Sequence, residues 1–149
     1  MEYSLLSNNF EKFSLLKNGD LFWEVKLKIN YMRFMKCGFT SVSSASDEYS
    51  LESVGFFNNK FNFYKNEILA GEFVRNKCCS PFSGLKLDRR SFVCFEGKHL
   101  LSLTRFKNDM FSESSYRWKL SEEYVELEVA VIVLVLISML NGPRSLYVG

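Results

Sequence analysis

From Trp23 to Asn30 apolar and polar positions alternate without a break. Trp23, Val25, Leu27 and Ile29 share one face, and Glu24, Lys26, Lys28 and Asn30 share the other. A period of two with one apolar face predicts a half-solvated antiparallel strand. The alternation blurs at Tyr31-Met32-Arg33-Phe34, where both faces turn apolar, as at a bulge or a doubly covered position. Residues 40–47 are small and polar, the most linker-like stretch of the chain. Further short strands are predicted over 49–57, 60–65, 68–75, 84–88, 91–96, 99–106 and 116–120. Their breaks fall at Asn58-Asn59, Asn66-Glu67, Arg89-Arg90 and Gly97-Lys98, with a loop opening at Asn108-Asp109. Strands recurring roughly every eight to twelve residues mark an antiparallel meander. Residues 1–20 are less regular: Leu5, Leu6, Phe10, Phe13, Leu15 and Leu16 fit a weak amphipathic helix or an irregular strand, closed by a turn at Asn18-Gly19-Asp20. A faint internal echo links 66–76 with 97–108, each reading turn, apolar strand, basic residue, Asn.

The last third changes character. From Val129 to Leu140 only Ser138 interrupts an apolar run, and a segment apolar on every face must be buried in lipid or in protein. A membrane span needs roughly 20 apolar residues, whereas runs of about 10–14 are more often core helices. Extending the run backwards brings in Glu128 and Glu126, each costing about 2.5–3.5 kcal/mol near a bilayer centre. Ser121 is placed to cap a helix, Glu122, Glu123 and Glu126 complement its dipole, and Asn141-Gly142-Pro143 supplies a stop. Val129, Val131, Ile132, Val133, Val135 and Ile137 are β-branched and would suit a strand, but the segment is too long for one. The sequence therefore predicts a core helix, with a tail anchor carrying a cytosolic β domain as the alternative. A flat sheet covers only one side of such a helix. The expected architecture is mainly β, a curved antiparallel sheet or β-barrel wrapped around the buried C-terminal helix.

Composition agrees. At 149 residues and 47% hydrophobic the chain suits one domain over 1–149, its core expected over about 21–141 with 1–20 and 142–149 peripheral. Fifteen Phe, seven Tyr and only two Pro favour sheet over disorder. A net charge of +2 is too balanced to imply nucleic acid. Aromatics interleaved with Lys and Asn over Phe61–Lys65 serve barrel burial as well as base stacking. Cys37, Cys78, Cys79 and Cys94 form no CxxC pair, and with His99 the single histidine no zinc site of ordinary spacing can be written. The expectation is reduced thiols, no metal and no cofactor. Met1-Glu2-Tyr3-Ser4-Leu5-Leu6 lacks a basic and apolar leader pattern, so a cytoplasmic protein, in the head-group reading one that visits membranes, is expected.

Val54-Gly55-Phe56-Phe57-Asn58-Asn59-Lys60-Phe61-Asn62-Phe63-Tyr64, and Tyr116-Arg117-Trp118-Lys119-Leu120 leading into the apolar run, resemble the architectural units of the tubby C-terminal, LURP-one and phospholipid-scramblase group. The resemblance covers roughly Trp23 to Leu140. It implies a β-barrel around a central hydrophobic helix, and a binding module for lipid head groups or a protein partner. Scramblase-type calcium ligands are not matched, and no basic motif of the group carries over position by position.

Candidate chemistry is sparse. Lys86, Arg89, Arg90, Lys98 and Arg105 form the one basic set that could meet an anionic head group, against the ordinary use of edge lysines to discourage strand pairing. Glu122, Glu123, Glu126 and Glu128 are explained by the helix start, and His99 by an ordinary strand position. Cys78 with His99 as base has nothing to fix its geometry. No phosphate loop, GxSxG or HExxH occurs, so no catalytic residue is assigned and a non-enzymatic protein is expected.

Overall fold

A computed structural model describes residues 1–7, 12–29, 35–41, 47–54, 60–88, 91–107 and 114–148. The period-two segments become thirteen strands: β1 (Glu2–Ser7), β2 (Lys12–Lys17), β3 (Asp20–Ile29), β4 (Met35–Ser41), β5 (Glu48–Val54), β6 (Lys60–Lys65), β7 (Ile68–Val74), β8 (Lys77–Ser80), β9 (Leu85–Asp88), β10 (Phe92–Phe95), β11 (Lys98–Ser102), β12 (Thr104–Lys107) and β13 (Ser114–Lys119). A 3-10 stretch, Glu122–Leu127, then leads into the helix α1 (Glu128–Val148). The strands are antiparallel and follow the order β11-β10-β9-β8-β7-β6-β5-β4-β3-β2-β1-β13-β12. Between β8 and β9 the ladder thins to one pair, Lys77 with Lys86, which divides the order into two antiparallel blocks. Only Leu103 separates β11 from β12 in the chain, although they stand at opposite ends of the order.

Residues 1–20 are not peripheral. β1 and β2 lie inside the order, and Tyr3, Leu5, Phe13 and Leu15 are buried. The loose apolar spacing there reflects a register shift between Leu15 and Leu16, which breaks a strict period of two. Thr40 and Ser41, expected at the start of the linker-like polar loop, belong instead to β4, pairing with Glu24 and Trp23. Small hydroxyl residues fit a strand when its partners supply the packing. Tyr31–Phe34 and Asn58-Asn59 lie outside the described residues.

Three hairpins repeat one design. Each ends in a turn at positive φ, at Asn18-Gly19, Asn66-Glu67 and Glu96-Gly97. In each, the first turn residue donates its N–H back to the strand before the hairpin: Asn18 to the Glu2 carbonyl at 2.7 Å, Asn66 to Glu48 at 2.7 Å and Glu96 to Gly84 at 3.2 Å. In each, the register shifts at the same place before the turn, after Leu15, Phe63 and Val93. In each, the same two positions beyond the turn are buried: Trp23 and Val25, Gly71 and Phe73, Leu101 and Leu103. The tetrapeptide Glu-Tyr-Ser-Leu stands at both 2–5 and 48–51, opening the first two units. The echo between 66–76 and 97–108 touches the last two of these units.

Helix α1 is buried on every face from Ala130 to Ile137, where no residue is more than 5% exposed. Its closest strand contacts are with β8 and β9. No helix among the described residues is long and apolar enough to cross a membrane, which leaves membrane-crossing by strands unaddressed. The helix begins later and ends later than the sequence predicts. Glu122, Glu123 and Glu126 lie in the 3-10 stretch, and Ser121 contributes its carbonyl to the Tyr124 N–H (3.0 Å) rather than a side-chain cap. At the other end the helix passes through Asn141-Gly142-Pro143 to Val148. Pro143 there forgoes one i→i−4 hydrogen bond.

Candidate functional site: a basic row on the outer sheet face

Residues directly paired across neighbouring strands point to the same side of a sheet. Following the register from β5 gives one continuous row: Val54, Lys60, Val74, Lys77, Lys86, Cys94 and His99. Their chain neighbours Ser53, Phe61, Phe73, Cys78, Leu85, Leu87 and Val93 are buried, so this row is the outer face. Lys60 and Lys77 are exposed and Lys86 is half-buried. Val54 (40%) and Val74 (37%) add exposed apolar surface between the cations. At about 4.8 Å per strand, Lys60 and Lys86 stand roughly 14 Å apart.

Lys77 and Lys86 are directly opposed, and like charges in that position destabilise a sheet. No described carboxylate lies within salt-bridge distance of Lys60, Lys77 or Lys86; the described salt bridge is Lys17–Glu128. Glu52, Glu72 and Asp88 sit two positions along the same strands, flanking the row without being on it. His99 closes it, with Nε2 3.0 Å from the Ser102 hydroxyl and its ring edge-on to Phe92.

Of the residues expected from sequence, Lys86 is on this row. Lys98 is paired with Phe95 in the neighbouring register position, and Arg105 pairs with Tyr116 on β12, at the other end of the strand order. Arg89 and Arg90 lie outside the described residues. Lys60 and Lys77 were missed because only the register brings them beside Lys86.

Among the described residues no catalytic constellation accompanies the row. Cys78 is buried on the inner face, its thiol pushed up by burial and partly offset by backbone hydrogen bonds from Phe82 and Ser80. The cysteine opposite His99 is Cys94, not Cys78. Cys78, Cys79 and Cys94 are free thiols. Among the described residues no group of three metal-binding side chains occurs.

No protein-family model matches the chain, and no curated protein or solved structure matches it.

A second polar cluster is internal and holds the helix start. Lys17 Nζ lies 2.6 Å from Glu128 Oε2, and the Tyr3 hydroxyl donates to the same oxygen. Tyr3 stacks on Trp118 at 5.4 Å, and Tyr49 stacks on Trp23 at 4.7 Å. Burial pushes the Tyr3 phenol far above its ordinary value, with the hydrogen bond to Glu128 and that carboxylate's charge adding to it. Tyr49 moves the same way through burial, opposed by Lys65 and reinforced by Asp47 and Glu128. A phenol whose folded pKa is raised stabilises the fold below its unfolded pKa and loses that contribution as pH rises above it. Stability is thus expected to be level up to about pH 9 and to fall beyond about pH 10. Urea midpoints across that range check this, with Tyr3→Phe giving a shallower fall. A midpoint indifferent to alkali in the parent chain would sink the assignment.

Proposed function

We propose that the chain is a non-enzymatic, cytoplasmic binding module whose outer sheet face recognises an anionic head group through Lys60, Lys77 and Lys86. The opposed pair Lys77 and Lys86 carries the reading, because a sheet keeps two facing ammonium groups at a cost that a bound anion would relieve. Exposed Val54 and Val74 beside them suit a ligand with an apolar margin, as at a lipid surface.

The scaffold of the proposal is a closed barrel. β11 and β12 are successive lengths of one strand: Leu103 still donates its N–H to the Ser91 carbonyl on the β10 side (2.7 Å), and Thr104 then pairs with Arg117 on β13. A strand shared between β10 and β13 would join the two ends of the order. Burial of Ala130 to Ile137 on every face supports the same closure, since a flat sheet leaves half of a helix wet. A barrel around a hydrophobic helix is the form implied by the tubby, LURP-one and scramblase resemblance, which enters here as part of the proposal.

The test is flotation with vesicles containing an anionic phospholipid, beside vesicles of phosphatidylcholine alone. Lys77→Glu with Lys86→Glu is expected to weaken anionic-vesicle binding by at least about tenfold, each lysine near such a surface being worth about 1 kcal/mol. Arg89→Glu with Arg90→Glu serves as the comparison for the sequence-based set. Binding unchanged by the Lys77 and Lys86 reversals would refute the row as the site. Competition by inorganic phosphate in solution would separate recognition of a phosphate group from a requirement for the membrane surface.

A further inference from the structure

The three clasped hairpins can be compared position by position, and one departs from the others at its tip. The two residues following the positive-φ turn are Asp20 and Leu21 in β2–β3, and Lys98 and His99 in β10–β11. In β6–β7 they are Ile68 and Leu69, 72% and 49% exposed, followed by an exposed Ala70. An isoleucine held this far into water, where both counterparts are charged, has no packing role in the fold. A run of exposed apolar residues on a rigid tip marks a contact surface.

We propose that this tip anchors a protein partner that presents an apolar pocket rimmed by lysine or arginine. The rim charge follows from what surrounds Ile68. Asn66 ties the tip to the start of β5: its Nδ2 donates to the Asp47 carboxylate (3.1 Å), its Oδ1 accepts the Glu48 N–H (2.9 Å), and its own N–H reaches the Glu48 carbonyl (2.7 Å). Asp47, Glu48 and the turn residue Glu67 are thereby gathered at the tip. Among the described residues, Lys65 next to the turn is drawn over the Tyr49 ring at 5.9 Å. The result is an apolar tip with three acidic residues beside it in the fold, rigid because both turn residues are locked at positive φ. That charge opposes an anionic leaflet and favours a basic protein surface. One hairpin is too small for a whole interface, so it acts as the anchor residue of a larger one. This surface is separate from the basic row, and its test does not depend on that row.

The probe is a synthetic amphipathic peptide of lysine and leucine, with binding to the full chain read by fluorescence anisotropy at low and moderate salt. Ile68→Asn with Leu69→Thr is expected to weaken binding by about tenfold. Glu48→Gln with Glu67→Gln is expected to weaken it similarly and to remove most of its salt dependence. Leu21→Asn, at the corresponding place in the first hairpin, is expected to change nothing. Thermal melts confirm that the variants stay folded, which the exposure of Ile68 and Leu69 favours. The proposal is overturned if the parent chain ignores the peptide, or if the tip variants bind it as the parent does. It is equally overturned if the tip variants lose binding to neutral phosphatidylcholine vesicles while peptide binding stays intact, since that outcome makes the tip a membrane contact.

Discussion

A chain truncated after Leu120 is expected to lose its native fold altogether, although every strand remains in it. Removal of the 3-10 stretch and α1 takes away Leu127 and the run Ala130 to Ile137, all at or below 5% exposure. Burial of each large aliphatic contributes about 1.5–3 kcal/mol relative to exposure. Eight of them sum to an upper estimate on the order of 12–24 kcal/mol, at least as large as the whole stability of an ordinary domain, about 5–15 kcal/mol. The strands lose more than those contacts, because the inner faces carrying Phe61, Phe73, Leu85 and Val93 would then line an empty space or collapse on one another. Gel filtration and near-ultraviolet circular dichroism of the truncated chain should show aggregation and no fixed aromatic signal. A milder version, Leu134→Ala in the full chain, is expected to cost about 2–5 kcal/mol. A truncated chain that ran as a folded monomer would mean that the strands form a core without the helix.

The helix was legible in the sequence because its apolar residues are contiguous and bounded by charge. Nothing but burial accommodates Val129 to Leu140. The strand meander was legible for a similar reason, since β3 keeps a period of two from Trp23 and the turns carry Asn and Gly. What the sequence hid is what depends on pairing. The register shifts after Leu15, Phe63 and Val93 each break the alternation, so residues 1–20 read as ambiguous although Tyr3, Leu5, Phe13 and Leu15 are core. The duplication was present in the letters, as Glu-Tyr-Ser-Leu at 2–5 and again at 48–51. A scan for internal identity would have assigned β1 and β2 by comparison with β5 and β6. The basic row was hidden more deeply. Lys60, Lys77 and Lys86 are far apart in the chain and share a line only once three ladders are in register. Clustering of basic residues along the chain instead favours Arg89-Arg90, because sequence proximity stands in for spatial proximity.

The repeats also differ in what they carry, and the difference accounts for how the helix is held. In the first two units a tyrosine near the start of the opening strand lies beside a lysine near the turn: Lys17 is 6.0 Å from the Tyr3 ring, and Lys65 is 5.9 Å from the Tyr49 ring. The third unit has Leu85 and Phe95 in these places. Glu128 on α1 engages the first of these pairs directly and raises the phenol pKa in both. One carboxylate at the beginning of the helix thus fastens the last element of the chain to its first strands. The internal duplication supplies the frame, and its departures from symmetry fix where the helix sits.

Replacement of Glu128 is accordingly expected to have the second largest effect of any change argued above. The Glu128 side chain is 12% exposed and that of Lys17 26%, so the pair is well shielded from solvent. Glu128→Leu leaves the Lys17 ammonium without its carboxylate and the Tyr3 hydroxyl without its acceptor, apart from a 3.5 Å contact between that hydroxyl and the Met1 sulfur. Breaking one side of a fully buried pair costs about 3–5 kcal/mol; for this half-buried pair that is an upper bound, which for a chain of this size lowers Tm by at most roughly 6–20 °C. Glu128→Gln keeps an acceptor for Tyr3 but no charge, and is expected to lose about half as much. The decisive variant is the double replacement Lys17→Met with Glu128→Leu. With both charges gone and apolar volume in their place, most of the lost stability should return, because desolvation of the pair offsets much of its attraction. A double variant as unstable as Glu128→Leu alone would show that the cost lies in disturbed packing around Trp118 and Tyr3 rather than in an orphaned charge. Hydrogen exchange separates the two cases further. An orphaned charge at Lys17 should loosen the first turns of α1 and the start of β1 together, since Glu128 is what holds the helix start to Tyr3 of β1 and Lys17 of β2.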